Sequence, residues 1–290
     1  MSSVDFTLSK AKIAIVGLGL MGGSLALALK GECAALFGVD SDPSICELAL
    51  RRNIVSQVAA DPASLLPQAD VVILAAPVPA ILTLLQGLPL VMPNPCIVLD
   101  LGSCKQAILE CMSALPKRFD VIGGHPICGR EKLSLAYADA NLYVDSPFVW
   151  TALPRTSARA RSCAQQITHA IGARPVWMEA AEHDRILAIT SHMPYLLSCA
   201  LVLAAPEEAA PLVGPGFRSS TRLAATLPSM MLGVLQTNRT HVLDALEHFR
   251  AQLSMLENAI QKNDPVVLEA IQNQAHDQYE SLNHSIPECG

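Results

Sequence analysis

Gly17, Gly19 and Gly22 fall in a G-x-G-x-x-G spacing, and between a strand and a helix each glycine has its own task. The first lets a tight turn close, the second lets the backbone approach a pyrophosphate, and the third lets helix and strand pack closely. Ile13 to Val16 reads as a buried strand before the turn and Ser24 to Leu29 as an apolar helical run after it. Free N–H groups at the helix start, around Leu20 and Met21, then face the phosphates. A second apolar stretch, Ala35 to Val39, ends in Asp40, about where a ribose-binding acid belongs. No basic residue follows until Arg51, so nothing waits for a 2′-phosphate. The expected cofactor is NAD rather than NADP.

Three further strands end at the same edge of the expected sheet. Asp70 to Ala75 leads into Ala76 and Pro77, Cys96 to Leu101 into Gly102 and Ser103, and Phe119 to Gly123 into Gly124 and His125. Ligands collect at that edge in open α/β sheets. His125, between a glycine and a proline, is suited to take a proton from an alcohol while hydride leaves the same carbon; a turn histidine without chemistry is the plain alternative. Ser103 either orients the imidazole or touches the substrate hydroxyl. Arg218 and Arg222 stand at i, i+4 if the chain after Gly216 is helical, where like charges repel unless an anion such as a carboxylate bridges them. Two solvated arginines would look the same. His192 and Tyr195, at i, i+3 around Pro194, are candidates for the same cleft.

The elements that must position these side chains follow from the whole chain. Its 290 residues suggest about two domains. A hydrophobic content of 51% against only 16% charged residues suggests a surface partly covered by a partner chain. The net charge of -6 argues against nucleic acid or an anionic membrane as partner. Nine cysteines without a C-x-x-C pair fit reduced thiols in the cytoplasm, and no metal site is expected. Val71 to Leu99 is uncharged, but five prolines rule against a membrane helix and for buried strands with turns. Asp42 and Pro43 start a helix reaching about Arg52. Strands and helices alternate up to Met178, with later strands at Pro147 to Ala152 and Arg174 to Met178 around a helix near Thr156 to Ile171. From Glu179 the pattern is helical. Glu182 to Ala204 is apolar and interrupted by Pro194; Asn238 to Gln261 carries Leu243, Leu246, Phe249, Leu253, Leu256 and Ile260 on one face; a last helix runs from about Pro265 to Leu282. Ala204 to Ala210 reads as a loop. The expected fold is α/β: a doubly wound Rossmann-type domain over residues 1–178, then an all-helical dimerisation domain over 179–290.

GHPICGRE at Gly124 to Glu131, SHMPY at Ser191 to Tyr195 and GFRSSTR at Gly216 to Arg222 together resemble the prephenate and arogenate dehydrogenase family of tyrosine biosynthesis, in matching order over nearly the whole chain. The apolar helical domain points to a homodimer, and the resemblance implies oxidative decarboxylation. NAD takes hydride from the ring carbon bearing the hydroxyl, His125 accepts the hydroxyl proton, and loss of carbon dioxide aromatises the ring. It implies that Ser103 assists at the hydroxyl and nicotinamide, that Arg222 grips a substrate carboxylate, and that Glu131 is a gating acid at the entrance, paired with Arg222. The chain departs from the family pattern at Arg130, Ser134, Tyr195 and Ser219. The charge of Arg130 favours the prephenate dianion over arogenate with its ammonium group. A β-hydroxyacid dehydrogenase is the first alternative, discounted because no lysine occurs from Leu133 to Gln261; a non-catalytic NAD-binding regulator is the second.

Overall fold

Lys12–Val16 forms β1, an interior strand of an eight-stranded sheet in the computed structural model, which describes residues 6–130, 132 and 134–284. The first half of the sheet domain runs through α1 (Leu20–Ala28), β2 (Ala35–Val39), α2 (Pro43–Arg51) and β3 (Gln57–Ala59). The second half follows with β4 (Val71–Leu74), α3 (Val78–Val91), β5 (Cys96–Asp100), α4 (Gln106–Ser113) and β6 (Phe119–Pro126). An extension adds β7 (Pro147–Ala152), α5 (Ala158–Ala170) and β8 (Arg174–Trp177). Strand order is β3-β2-β1-β4-β5-β6-β7-β8. Chain direction across the sheet reverses its progress between β1 and β4, and the crevice at their carboxyl ends is where such sheets take ligands.

Every pair from β3 to β6 is parallel. The β6–β7 pair is antiparallel, placing His125 opposite Val149, and β8 runs parallel to β7. This antiparallel turn in the sheet, and the short edge strand β3, are not legible in the sequence pattern. Strands β4 and β5 are buried at every position, as expected when helices cover both faces. Alternate residues of β1 serve opposite layers: Ile13 and Ile15 pack with α1 and α5, while Ala14 and Val16 pack with α3 and α4.

Helices take over after β8: α6 (Ala180–Leu187), a π turn (Ala188–His192), α7 (Met193–Ala204), α8 (Pro215–Thr221), α9 (Pro228–Thr237), α10 (Arg239–Gln261) and α11 (Pro265–His284). Pro194 does not interrupt the α6–α7 rod as its sequence position suggests. The wider π turn just before it absorbs the missing N–H and the ring. The expected loop at Ala204 to Ala210 is mostly a 3-10 helix, Glu207–Leu212. Met231 and Val234 of α9 enter the core layer beneath α3 and α4, anchoring the helical part to the sheet.

The apolar stripe of α10 is only partly covered by the chain itself. Val242, Ala245 and Ala259 are its buried residues, whereas Leu243, Leu253 and Ile260 lie exposed. The small core that α10 shares with the π turn consists of Ala188, Val242 and Ala245, edged by Leu246 and Leu196. Ala180–Ala204 is long and apolar enough to cross a membrane by length and composition, yet it carries His183, Asp184 and His192 inside the protein.

Candidate active site

The turn after β1 is shaped by its glycines. Gly17 has φ +95°, and a Cβ there would stand 2.5 Å from the carbonyl oxygen of Ala75; one on Gly22 would stand 1.9 Å from that of Gly17. Any side chain would push the turn open. Asp40 braces it from the end of β2, its Oδ2 accepting from Leu18 N–H at 2.8 Å and its Oδ1 from Asp42 N–H at 2.9 Å. Asp42 caps α2 in turn, accepting from Ser44 N–H at 2.8 Å.

A cavity of about 340 Å³ lies over this turn. Gly19, Leu20 and Met21 form one side and Ala76, Pro77, Gly102 and Ser103 another, with Ser229, Met230 and Val234 of α9 closing the third. Gly17, Gly22 and Asp40 are not among its lining residues; they hold its floor in shape. Backbone N–H groups at the start of α1, a close-approach glycine turn and an acid after β2 fit a dinucleotide.

His125 is half-buried at the end of β6. Its Nδ1 stands 2.9 Å from Nε2 of His183, whose Nδ1 stands 2.7 Å from Oδ1 of Asp184. Both His183 and Asp184 are fully buried. Asp184, on α6, also caps α4 from the other domain: Lys105 N–H donates to its Oδ1 at 2.7 Å and Gln106 N–H to its Oδ2 at 2.9 Å. Burial opposes the Asp184 charge, but the hydrogen bonds from His183 and these two N–H groups outweigh it and hold the carboxyl below its usual range. Burial, together with the nearby His183, Lys105 and His192, pushes the His125 imidazole well below its ordinary value. It is therefore neutral, and able to accept a proton, at neutral pH.

Lys105 is buried in an ion pair with Asp100 and also donates to Gly124 carbonyl oxygen at 2.7 Å. Asp100 accepts from Gly102 N–H at 2.7 Å and Gly124 N–H at 3.2 Å. One buried pair thus ties the backbone before Ser103 to the backbone before His125. Burial raises the Asp100 carboxyl against the pull of Lys105.

A second cavity, of about 740 Å³, begins three residues beyond His125. Cys128, Gly129 and Arg130 form one wall, and Ser191 with Arg222, Thr226 and Met230 another. Met230 borders both cavities. Cys128 is no nucleophile here, since burial pushes its thiol up to about 11.

The structure brings several candidate residues together and separates others. Gly19, Leu20, Met21, Ala76, Pro77, Gly102 and Ser103 line the first cavity, and Arg130 and Arg222 line the second. Arg130 is already committed to Asp139 at 2.6 Å. Arg218 is exposed on α8 and is not among the lining residues, while Arg222 begins a 3-10 turn just past that helix, so the two do not form one anion grip. His192 is buried, its Nδ1 3.1 Å from Asn238 Nδ2, and does not line the cavity. Tyr195 packs half-buried beside the second core layer. Ser191, one residue before His192 and within the π turn, reaches the cavity instead. Glu131 lies outside the described residues.

His183, Asp184 and Lys105 escaped the sequence reading. The only signal was charge and imidazole placed among apolar residues: His183 and Asp184 at the head of an apolar helix, and Lys105 just after a buried strand.

A glycine-turn sheet, an acid after β2, an imidazole at the end of β6 and a helical unit packed on the sheet define a two-domain dinucleotide-dependent dehydrogenase. Residues 25–177 match the family model for the prephenate dehydrogenase nucleotide-binding domain, and residues 179–274 that for the prephenate dehydrogenase dimerization domain. The chain belongs to the prephenate dehydrogenase family. It is 29% identical to the cyclohexadienyl dehydrogenase of Zymomonas mobilis over 87% of this chain and 89% of that one. The arogenate dehydrogenase structure from Synechocystis superposes with a TM-score of 0.81 at 30% identity, covering 93% of this chain and 99% of the other. Prephenate dehydrogenase from A. aeolicus, in complex with hydroxyphenyl propionate and NAD+, superposes at 0.88 with 26% identity, covering 95% and 99%.

Proposed function

We propose that the protein catalyses NAD-dependent oxidative decarboxylation of prephenate to 4-hydroxyphenylpyruvate, or of arogenate to tyrosine. The observation that carries this reading is the shared wall at Met230: a cavity over the glycine turn meets a second, cationic cavity whose wall begins two residues after β6, the strand that carries His125. Bound NAD supplies the hydride acceptor. Gly19, Leu20 and Met21 would hold its phosphates at the start of α1, and Asp40, at the end of β2, its ribose. His125 takes the proton of the ring hydroxyl on its neutral imidazole, Ser103 orients that hydroxyl, and Arg222 anchors a carboxylate. Loss of carbon dioxide then aromatises the ring.

Prephenate is the favoured substrate. Lys132 and Arg222 line the second cavity beside an Arg130 paired with Asp139, and two further cations suit two anionic groups better than an ammonium. Parallel assays test both points: NADH absorbance and carbon dioxide release should appear with NAD and prephenate, and more weakly with arogenate. No turnover with either substrate in folded protein would end the proposal.

The helical unit, residues 179–290 in our division of the chain, is proposed to pair with a second copy. Its own core is small, while Leu203, Leu212, Leu253 and Ile260 are exposed, an apolar surface that a monomer would leave in water. Light scattering should give twice the chain mass. The cytoplasm is the proposed compartment, in keeping with the free thiols of the described cysteines.

A further inference from the structure

We propose that His183 and Asp184 act as positioning residues that fix the tautomer of His125, leaving its Nε2 unprotonated toward the substrate. The inference rests on His125 being the base, and it adds what makes the correct nitrogen basic.

The direction of the chain is set by groups that cannot reverse. Two backbone N–H groups, of Lys105 and Gln106, donate to the Asp184 carboxylate, and a backbone amide has no other role to offer. Asp184 is thereby held as an acceptor. His183 must then carry its proton on Nδ1, the nitrogen 2.7 Å from Asp184. Its Nε2 is left as a lone pair, 2.9 Å from His125 Nδ1, so His125 donates there and its own proton sits on Nδ1. His125 Nε2 remains as the free acceptor. The two rings meet edge to face, 72° apart, a geometry in which an in-plane N–H of one ring addresses the nitrogen of the other.

A cap for α4 would need only the carboxylate. It gives no reason for an imidazole buried beside it with both nitrogens engaged, neither by a backbone group. A buried polar ring of this kind is costly unless each nitrogen is used. Lys105, held by Asp100, and His192, held by Asn238, are the other titratable groups around the chain; neither supplies a competing acceptor to His125 Nδ1 among the described hydrogen bonds. When the substrate hydroxyl gives its proton to Nε2 and its carbon gives hydride to NAD, His125 becomes an imidazolium. Its Nδ1–H strengthens the bond to His183, and Asp184 stabilises the charge through that ring without taking the proton.

The test reads the tautomer directly. Protein with ring-¹⁵N histidine, measured by two-bond ¹H–¹⁵N NMR, should show His125 protonated on Nδ1, its signals assigned by their loss in His125→Asn. Asp184→Asn, which keeps the shape of the carboxylate but removes the charge that stabilises the His125 imidazolium, should lower kcat on the order of a hundredfold while KM changes little. His183→Gln, which keeps an oxygen to accept from His125, should retain more activity than His183→Phe; a ring serving only to fill space would give the opposite order. Wild-type His125 protonated on Nε2, or Asp184→Asn with full kcat, would overturn the proposal, and the wild-type spectrum decides even if the Asp184 and His183 variants do not fold. An active His125→Asn would instead remove the base assignment itself.

Discussion

Lys105 donates from Nζ to the carbonyl oxygen of Gly124 at 2.7 Å, so the residue directly before His125 is held by a buried ammonium from the neighbouring strand end. Removing that ammonium leaves the Asp100 carboxylate buried without its ion-pair partner. Lys105→Met should therefore cost roughly 3–5 kcal/mol of unfolding free energy in urea. Adding Asp100→Asn should recover part of that loss, because the double variant leaves no unpaired charge. Additive losses would show that the two side chains do not act as a unit.

His125→Asn should lower kcat by about 10²–10⁴ with KM for prephenate near the wild-type value, the pattern of a group acting mainly in the transition state. Its depressed pKa also sets the acid side of the wild-type profile. Burial beside His183, Lys105 and His192 keeps the imidazole neutral below its ordinary value of 6.5. The fall of kcat/KM on acidification should consequently begin below pH 6.5. A profile already falling at neutral pH would place the titrating group elsewhere.

The cofactor half of the site was legible because its constraints are local. A turn that must bring backbone to a pyrophosphate forces glycine at Gly17 and Gly22 within a few residues, and Asp40 follows at the end of the next strand. The relay behind His125 was not legible, because His183 and Asp184 arrive from a different domain and meet His125 only after the helical unit docks. What covers the stripe on α10 was not legible for a related reason. An apolar face has the same period whether it turns toward its own core or toward another chain, and here Leu243, Leu253 and Ile260 turn outward. Likewise the i, i+4 spacing of Arg218 and Arg222 assumed one continuous helix, whereas α8 ends between them.

That break makes the two arginines separable by experiment. Arg222 lines the larger cavity and Arg218 does not. Arg222→Ala should raise KM for prephenate by about 10- to 100-fold, the worth of a charge-assisted carboxylate contact of roughly 1.5–3 kcal/mol. Arg218→Ala should leave steady-state kinetics close to wild type. Equal effects from both would restore a paired grip.

NADP should be excluded by two acids rather than one. Asp40 sits at the ribose position, and Asp42 follows at the head of α2, where it offsets the positive end of a helix that would otherwise attract a 2′-phosphate. Asp40→Ser should weaken the preference for NAD and also raise KM for NAD, since it loses the bonds to Leu18 and Asp42 N–H. Asp42→Ser added to it should relax the preference further. An unchanged NAD/NADP ratio of kcat/KM in the double variant would place discrimination outside this loop.

His192 should make the fold acid-sensitive well above the carboxylate range. Burial and the neighbouring His183 lower its pKa from 6.5 to about 4, with Asp184 opposing. The unfolded chain therefore takes up a proton at a higher pH than the folded one. Above pH 6.5 both states are neutral at this ring and it contributes no pH dependence; between 6.5 and about 4 the unfolded state gains the proton first, so stability falls as pH falls. The full span corresponds to roughly 3 kcal/mol, and His125, shifted in the same direction, adds to it. Urea unfolding at successive pH values should show a shallower acid slope for His192→Asn than for wild type. Equal slopes would mean that His192 is protonated as readily in the folded protein as in the unfolded chain.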